Sequence, residues 1–228
     1  MKQRQPKTKV LDKGFVTLVD HMGSDLSVVN SARVSFGKRT WEMRPRDAKL
    51  IKYLWEHKHS SPFRHATAQF HIKAPIFVLR QWMKHQVGCS WNEASGRYIE
   101  FDGDCHKPQF FRLQSKDNKQ GSEGTLDLNS EQQAQEIYWD ACDHALRQYR
   151  TLLDMGVCKE QARCVLPLSL YTECYWTASL QAVMHFLTLR EDSHAQFEIR
   201  EYAKAVRELI TPLFPISLDL GEPNGQTN

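Results

Sequence analysis

The sequence predicts a single α+β domain in which a mostly antiparallel sheet is flanked by helices. Its 228 residues suit one domain with a substantial core. Strand-type alternation of apolar and polar residues occurs in some segments, and helix-type spacing occurs in others. No internal repeat is visible in the sequence. These three observations favour a globular protein that mixes both kinds of element within one unit.

In the N-terminal half, alternation marks the strands, and caps or periodic apolar residues mark the helices. A loose alternation predicts the first strand, and the capping pair Ser24-Asp25 predicts the start of the first helix. Apolar residues at helical spacing predict the second helix, and a clean alternation predicts the second strand. Pro75 suits the first turn of a third helix. The predicted elements are a strand over 10–19, helices over 24–36 and 47–57, a strand over 67–72 and a helix from Ile76 to about Gln86.

The C-terminal half is predicted to be mainly helical around one strand. Gly156 suits the C-cap of a long amphipathic helix, and Pro167 stops a short one. A run rich in Tyr, Trp and Thr predicts the strand. The predicted elements are helices over 131–155 and 159–165, a strand over 169–177, and helices over 178–189 and 193–210. Polar composition predicts flexible tails over 1–9 and 215–228 and a mobile insertion over 115–124.

Composition disfavours several classes of protein. The net charge of +3 is too small to indicate a dedicated nucleic-acid binder. No apolar run approaches the length needed to cross a bilayer, and residues 1–9 lack an apolar signal segment, so we expect a cytoplasmic protein without membrane partners. The six cysteines form no CxxC pair, which predicts reduced thiols and no metal site.

The segment from Arg80 to Tyr98 concentrates the polar chemistry of the chain. It follows an apolar stretch and contains three basic side chains, one His and one carboxylate. The pairs Arg80–Lys84 and Gln81–His85 have helical spacing, so one helix would present cations and amides together. Gly96 permits close approach of the backbone to a ligand, and the Arg97 guanidinium can bind a phosphate bidentately. Each residue alone fits a salt-bridged surface, but the set together predicts a nucleotide site.

These residues resemble the flavin-dependent thymidylate synthases (the ThyX family) in matching order from about Leu11 to Tyr202. The resemblance is carried by several segments and is interrupted mainly by the polar insertion after Phe101. The matching segments are Leu11–Asp20, Ala32–Phe36, Ser61-Pro62-Phe63-x-His65, Phe70–Val78, Arg80–Trp82, Asn92-Glu93-x-Ser95–Tyr98, Ala162-Arg163, Val165–Pro167, Phe186-Leu187-x-Leu189-Arg190 and Asp192–Gln196.

The chain departs from the family signature, which is Arg-His-Arg followed after seven residues by Ser. The triplet Lys84-His85-Gln86 stands in its place, and eight residues separate Gln86 from Ser95. Lysine keeps the charge but loses the bidentate fork, and glutamine loses the charge. We expect the extra residue to bulge the connection near Cys89-Ser90.

The resemblance implies the reductive methylation of dUMP to dTMP, with methylenetetrahydrofolate as carbon donor and NADPH as reductant through FAD. Arg190 matches the arginine beside the uracil ring and is the implied catalytic residue. The positions implied to bind dUMP are Gln81, Lys84, Glu93, Ser95, Gly96, Arg97, Arg163 and Arg190. The positions implied to bind FAD are Ser61, Lys84, His85, Gln86, Glu93, Ser179, Gln181 and His185.

Further expectations follow from the same resemblance. Family members form homotetramers with sites shared between subunits. His59 is a candidate for the folate or nicotinamide side, whereas Arg64 reverses the charge of the family's usual Glu. No Pro-Cys pair occurs, which fits a mechanism without a cysteine nucleophile.

Two other functions remain open from the sequence. The altered triplet is compatible with a flavoprotein that oxidises NADPH but has lost or changed methyl transfer. The basic N-terminus with Lys84 and Arg97 is compatible with nucleic-acid binding, although the small net charge disfavours it.

Overall fold

A computed structural model describes residues 5–101 and 103–220 of the chain. The predictions for residues 1–4 and 221–228 lie outside the described residues. The strands are β1 (Lys7–Val10), β2 (Gly14–Met22), β3 (Thr67–Pro75), β4 (Cys89–Glu93), β5 (Leu113–Gln114), β6 (Ser122–Glu123) and β7 (Tyr171–Ser179). The helices are α1 (Asp25–Arg33), α2 (Pro45–Glu56), α3 (Ile76–Trp82), α4 (Leu128–Asp154), α5 (Lys159–Ala162), α6 (Leu180–Glu191), α7 (Phe197–Ile210) and α8 (Pro215–Leu218).

Five strands form one sheet in the order β1-β2-β3-β7-β4, and every pair is antiparallel. This confirms the predicted α+β class and the antiparallel sheet. The central strand β3 shows the expected period of two: Ala68, Phe70 and Ile72 are buried, while the residues between them are partly exposed. Its register with β7 runs unbroken from Thr67 to Pro75.

The helices cover the sheet around a cluster of aromatic rings. Trp82, the last residue of α3, is fully buried and stacks on Phe186 of α6 with ring centroids 4.5 Å apart. It also contacts Trp176 of β7 at 5.1 Å and Tyr202 of α7 at 5.9 Å. One indole ring therefore joins three helices to the sheet, and it fixes where the chain leaves α3.

Most predicted elements are confirmed, with shifted ends. The helix predicted from Ile76 to about Gln86 is shorter than expected, because α3 ends at Trp82 and the following residues form a turn. Lys84 and His85 therefore do not share a helix with their predicted partners. The last long helix begins at Phe197 rather than near residue 193.

Both predicted tails contain regular structure. Residues 7–10 form β1, which pairs with β2, and residues 215–218 form α8. Composition favoured tails because these segments are polar or contain proline, but pairing to β2 and burial of Leu218 supply the missing stabilisation.

The insertion predicted over 115–124 closes into a hairpin of β5 and β6. The Gln114 side-chain amide donates to the carbonyl oxygens of Asn118, Lys119 and Gly121 at 3.3, 3.2 and 3.1 Å. The Ser115 hydroxyl accepts from the Asn118 amide at 3.3 Å. The segment therefore has internal order, and its mobility stays a prediction.

A buried carboxylate ties the C-terminal helix to the start of the fold. Asp25 of α1 accepts hydrogen bonds from the Ile216 amide at 2.8 Å, the Ser217 amide at 3.1 Å and the Ser217 hydroxyl at 2.6 Å. Asp25 is only 3 % exposed. Those amides belong to the first turn of α8, and the first amides of a helix have no carbonyl acceptor within the helix itself.

Replacing Asp25 with alanine is expected to lower the free energy of unfolding by about 3 kcal/mol, because buried donors lose their acceptor. Urea denaturation measures this loss. Asp20→Ala, at an exposed position of β2, is the control and is expected to change stability by less than about 0.5 kcal/mol. Equal losses in the two variants would contradict the anchoring role of Asp25.

Candidate active site

A cavity of about 290 Å³ opens beside the end of β4. The last residue of β4 is Glu93, and the chain then leaves the sheet after the Ala94 amide donates to the Glu173 carbonyl oxygen at 2.8 Å. The 3₁₀ turn that follows α5 supplies the opposite wall. The cavity is lined by Ile76, Glu93, Ala94, Ser95, Gly96, Phe101, Arg163, Leu166 and Leu170. We call it the Gly96 cavity.

Gly96 allows the walls of this cavity to approach each other closely. A Cβ atom at this position would lie 2.5 Å from the Phe101 ring and 3.1 Å from Cδ of Arg163. Glycine is therefore required by space rather than by backbone angle. Gly96 and Arg163 therefore line the same small cavity, and the cation of Arg163 suits an anionic ligand.

Glu93 supplies the carboxylate of the cavity. Burial raises the pKa of Glu93, and the nearby Thr172 hydroxyl and Arg163 charge offset part of that increase. The group can thus accept a hydrogen bond from a ligand beside a compensating cation.

Arg97 does not line the Gly96 cavity. Its Nε lies 3.2 Å from Oε2 of Glu160, and both side chains are more than half exposed. Exposed pairs of this kind contribute little stability, so a phosphate could displace Glu160 at small cost. The predicted role of Arg97 in phosphate binding stays a prediction.

Arg190, the predicted catalytic residue, lies near the end of α6 against the turn that follows α3. Its Nε donates to Nε2 of His85 at 2.9 Å. Burial lowers the pKa of His85 to about 4, with further contributions from the Arg190 and His185 charges. The imidazole is therefore neutral at neutral pH, so Nε2 can accept while Nδ1 carries the proton.

The Arg190 charge is held in a partly buried position. Burial lowers the pKa of Arg190, yet a guanidinium stays protonated at neutral pH. His85 is 9 % exposed and packs edge-on against Phe186 at 5.3 Å. Because the imidazole is neutral, it orients the guanidinium without cancelling its charge. A fixed cation of this kind can stabilise negative charge that develops on a ligand.

Several predicted flavin residues meet on one surface of α6. Ser179 caps this helix by accepting from the Ala182 amide at 3.3 Å, and its own amide donates to the Gly88 carbonyl oxygen at 2.9 Å. Oε1 of Gln181 accepts from Nε of Arg64 at 2.6 Å. One turn further, the His185 ring lies 5.7 Å from the His85 ring. The start of α6, the turn of Arg64 and the turn after α3 therefore form a continuous polar surface, which we call the α6 face.

Ser61, Lys84 and Gln86 are exposed around this surface. The bulge expected near Cys89-Ser90 is absent, because β4 pairs with β7 in an unbroken register. The chain turns over residues 83–88, and Gly88 adopts a left-handed φ of +75° there. The strand that follows the altered triplet is therefore regular.

Gln81 is joined to the β5–β6 hairpin by consecutive hydrogen bonds. Its Nε2 donates to Oε1 of Gln196 at 2.5 Å, and Nε2 of Gln196 donates to Oε2 of Glu198 at 2.8 Å. Arg112 donates to both oxygens of the buried Glu198 at 2.9 and 3.1 Å, and to the Ser122 hydroxyl at 3.0 Å. Sequence reasoning missed this network because its members lie far apart in the chain.

Replacing Gln196 with alanine is expected to raise the KM for the predicted nucleotide substrate about fivefold with little change in kcat. The variant removes one neutral hydrogen bond that holds Gln81, worth about 1 kcal/mol. Steady-state kinetics measure the effect. Gln132→Ala on the exposed side of α4 is the control, and an equal KM for both variants would contradict this role.

The predicted dUMP residues do not all meet within one chain. Glu93, Ser95, Gly96 and Arg163 line the Gly96 cavity, whereas Arg190 contacts His85 beside the α6 face. Gln81 contacts Gln196, and Lys84 is exposed.

Sequence reasoning also missed a basic and aromatic groove between α1 and α2. Its signal was present as a run of arginines and aromatic residues over 36–46.

Within residues 5–101 and 103–220, no group of three or more His, Cys, Asp or Glu side chains is arranged to hold a metal ion. No helix in this part of the chain is long and apolar enough to cross a membrane.

Comparison with known proteins identifies the class. Residues 17–216, which include the Gly96 cavity and the α6 face, match the family described as thymidylate synthase complementing protein. A flavin-dependent thymidylate synthase from Kosmotoga olearia is 46 % identical over 211 residues, covering 92 % of this chain and 91 % of the relative. One from Thermus thermophilus is 48 % identical over 208 residues, covering 91 % and 75 %. The chain belongs to the flavin-dependent thymidylate synthase family.

A solved structure agrees with this membership. The UMP/dUMP methylase PolB from Streptomyces cacaoi, bound with 5-Br dUMP, is 32 % identical and superposes with a TM-score of 0.82. The match covers 93 % of this chain and 96 % of PolB. The same protein bound with 5-Br UMP gives a TM-score of 0.81.

Proposed function

We propose that this protein converts dUMP to dTMP by flavin-dependent reductive methylation. Methylenetetrahydrofolate is the carbon donor, and NADPH is the reductant through FAD. The observation that carries the proposal is the Gly96 cavity, in which a glycine, a carboxylate and the Arg163 cation surround a small volume. It lies within the residues that match the family.

The residues of this chain have separable roles in that reaction. Arg163 binds the nucleotide phosphate beside the Gly96 amide, and Glu93 accepts a hydrogen bond from the nucleotide. Arg190 presents a fixed positive charge to the pyrimidine ring as negative charge develops there. FAD, when bound, supplies the hydride chemistry that reduces the transferred one-carbon unit.

The α6 face fits a flavin by the chemistry of its side chains. Ser61 and Gln181 offer neutral hydrogen-bonding groups, His185 offers an imidazole, and Lys84 offers an exposed cation for a phosphate. The neutral His85 adds no charge beside an isoalloxazine ring. None of these residues carries a carboxylate that would repel an anionic cofactor.

A homotetramer with shared sites is part of the proposal. The separation of Arg190 and Gln81 from the lining of the Gly96 cavity in one chain supports it. A site completed by neighbouring subunits would bring the two groups onto one nucleotide. A cytoplasmic location stays a prediction.

Purified protein reconstituted with FAD tests the function. It is expected to make dTMP from dUMP when methylenetetrahydrofolate and NADPH are both present, with product measured by chromatography. UMP assayed in parallel tests selectivity for the deoxyribose. Absence of dTMP from a preparation that binds flavin and oxidises NADPH would favour the flavoprotein with lost methyl transfer. Absence of both activities and of bound flavin would overturn the proposal.

A further inference from the structure

A groove of about 950 Å³ lies in the connection between α1 and α2, outside every residue assigned above. The connection runs over residues 34–44, and the first turns of α2 complete the groove. Its side chains are unusual in being cationic and aromatic at once. Those that carry the inference are Phe36, Lys38, Arg39, Trp41, Arg44 and Arg46. We call it the Trp41 groove.

The positive charge of the Trp41 groove is not neutralised by the protein. The fifth cation of its lining, Arg33, is bound by the fully buried Asp47. Among the described residues, the other four cations, at positions 38, 39, 44 and 46, form no ion pair within 4 Å. Glu42 is the one acidic residue that lines the groove. Four uncompensated cations around one groove create a potential that favours a polyanion.

Two exposed aromatic rings accompany these charges. Phe36 is 78 % and Trp41 is 75 % exposed, although large apolar side chains are ordinarily buried. The Arg39 guanidinium lies 4.1 Å from the centroid of the Trp41 ring. Exposed rings next to unpaired arginines suit a ligand that has both a planar base and phosphate groups.

The backbone of the groove is fixed before any ligand arrives. Asn30 of α1 clamps Thr40 with two hydrogen bonds of 2.9 Å, one to its carbonyl oxygen and one from its amide. The buried Thr40 hydroxyl also donates to the Glu42 carbonyl oxygen at 3.0 Å. Asp47 accepts from the Arg44 amide at 2.9 Å at the start of α2. These hydrogen bonds fix the backbone of the connection, and its basic side chains are exposed.

The exposed side of α2 runs from this groove towards His59, which precedes the turn of Arg64 by a few residues along the chain. Arg46, Lys49, Tyr53 and His57 follow one another at intervals of three or four residues and are all exposed. The Tyr53 ring stacks on His57 at 4.0 Å and on His59 at 6.2 Å. The twelve residues of α2 span about 18 Å. An extended dinucleotide along this side would have its phosphorylated end in the groove and its other end near His59.

We propose that the Trp41 groove binds the adenosine 2′-phosphate end of NADPH. This inference rests on the proposed function for the identity of the reductant. The 2′-phosphate dianion and the pyrophosphate would form ion pairs with the four unpaired cations. The adenine ring would stack on Trp41 or Phe36. The reduced nicotinamide is then directed along α2 towards His59 and the α6 face. NADPH lacking its 2′-phosphate, that is NADH, loses the contact with the arginines.

The test measures binding and kinetics separately on the full-length, FAD-loaded protein. Adenosine 2′,5′-bisphosphate is titrated calorimetrically, with 5′-AMP as the comparison. We expect the bisphosphate to bind more tightly than 5′-AMP and to compete with NADPH. Arg44→Ala is expected to weaken its binding about tenfold and to raise the KM for NADPH by a similar factor. Arg44→Lys should recover part of the loss because it restores the charge.

Controls separate the groove from the methyl-transfer site. Lys204→Ala removes an exposed cation from α7 and should leave both constants unchanged. When dithionite replaces NADPH as the reductant, Arg44→Ala should form dTMP at the wild-type rate. A protein that made no dTMP but still bound the bisphosphate through Arg44 would contradict the proposed function. The same result would support binding of the adenosine 2′-phosphate in the Trp41 groove.

Three results would overturn the inference. The first is no binding of the bisphosphate by a protein that makes dTMP. The second is equal KM values for NADPH and NADH in the wild type. The third is an Arg44→Ala variant that is defective with dithionite or binds dUMP or folate poorly. Tight, salt-dependent binding of an oligonucleotide that NADPH cannot displace would also overturn it and identify the groove as a nucleic-acid site.

Discussion

Arg190→Ala is expected to lower the rate of dTMP formation about 100- to 1000-fold while flavin remains bound. The size follows from the proposed role of Arg190 as a preorganised group that stabilises charge in the transition state. Arg190 is oriented by a 2.9 Å hydrogen bond to His85, and burial keeps that imidazole neutral by lowering its pKa to about 4. The loss should fall on kcat, because the charge matters most when the ring becomes electron-rich.

Rapid-quench measurement of dTMP, together with the visible spectrum of the bound flavin, tests this expectation. Arg147→Ala on the exposed surface of α4 is the control for removal of an arginine. Arg190→Lys keeps the charge but loses the planar fork, so it should recover only part of the rate. Near wild-type turnover in Arg190→Ala would show that the assignment of Arg190 is wrong.

The second large effect is expected from Gly96→Ala, which should raise the KM for dUMP at least about tenfold. The added Cβ would lie 2.5 Å from the Phe101 ring and 3.1 Å from the Arg163 stem. Both neighbours are side chains that can move, so the fold should survive with a stability loss of about 1–3 kcal/mol. Moving Arg163 withdraws the cation from the cavity, and a misplaced phosphate ligand costs affinity.

Isothermal titration with dUMP and thermal denaturation separate binding from stability in this variant. The double variant Gly96→Ala/Phe101→Leu removes the closest contact and is expected to regain part of the affinity. If Gly96→Ala bound dUMP like the wild type, the Gly96 cavity would not be the nucleotide site. If Phe101→Leu restored nothing, the effect would not be the steric one described.

Local sequence patterns predicted the elements in which one face is buried along the whole element, and the helix starts that have a capping residue. The alternation over 67–72 identified β3, and the capping pair Ser24-Asp25 located the start of α1. Such patterns work because a strand exposes every second residue to the same face and a helix start needs an acceptor for its free amides. The predicted antiparallel α+β fold is confirmed on these elements.

The end of α3 shows what a local pattern could not supply. Residues 83–86 have no helix-breaking side chain, so the sequence favoured a helix to about Gln86. The structure ends it at Trp82, because that ring is buried against Trp176 and Phe186 and the chain must turn to join β7 as an edge strand. Tertiary pairing of residues 89–93 with the remote strand β7 therefore outweighed the helix propensity of four residues.

The segment from Arg80 to Tyr98 shows, for the site, the same difference between what the sequence determines and what the tertiary structure decides. The sequence determined the chemistry: an anion-binding set of cations, amides, one carboxylate and a glycine, together with the family to which the chain belongs. Only the tertiary structure decided which members meet. Gly96 meets Arg163, His85 meets Arg190, and Gln81 meets Gln196. The chemistry of each residue can be read from the sequence, but distances between remote residues depend on how the sheet and helices pack.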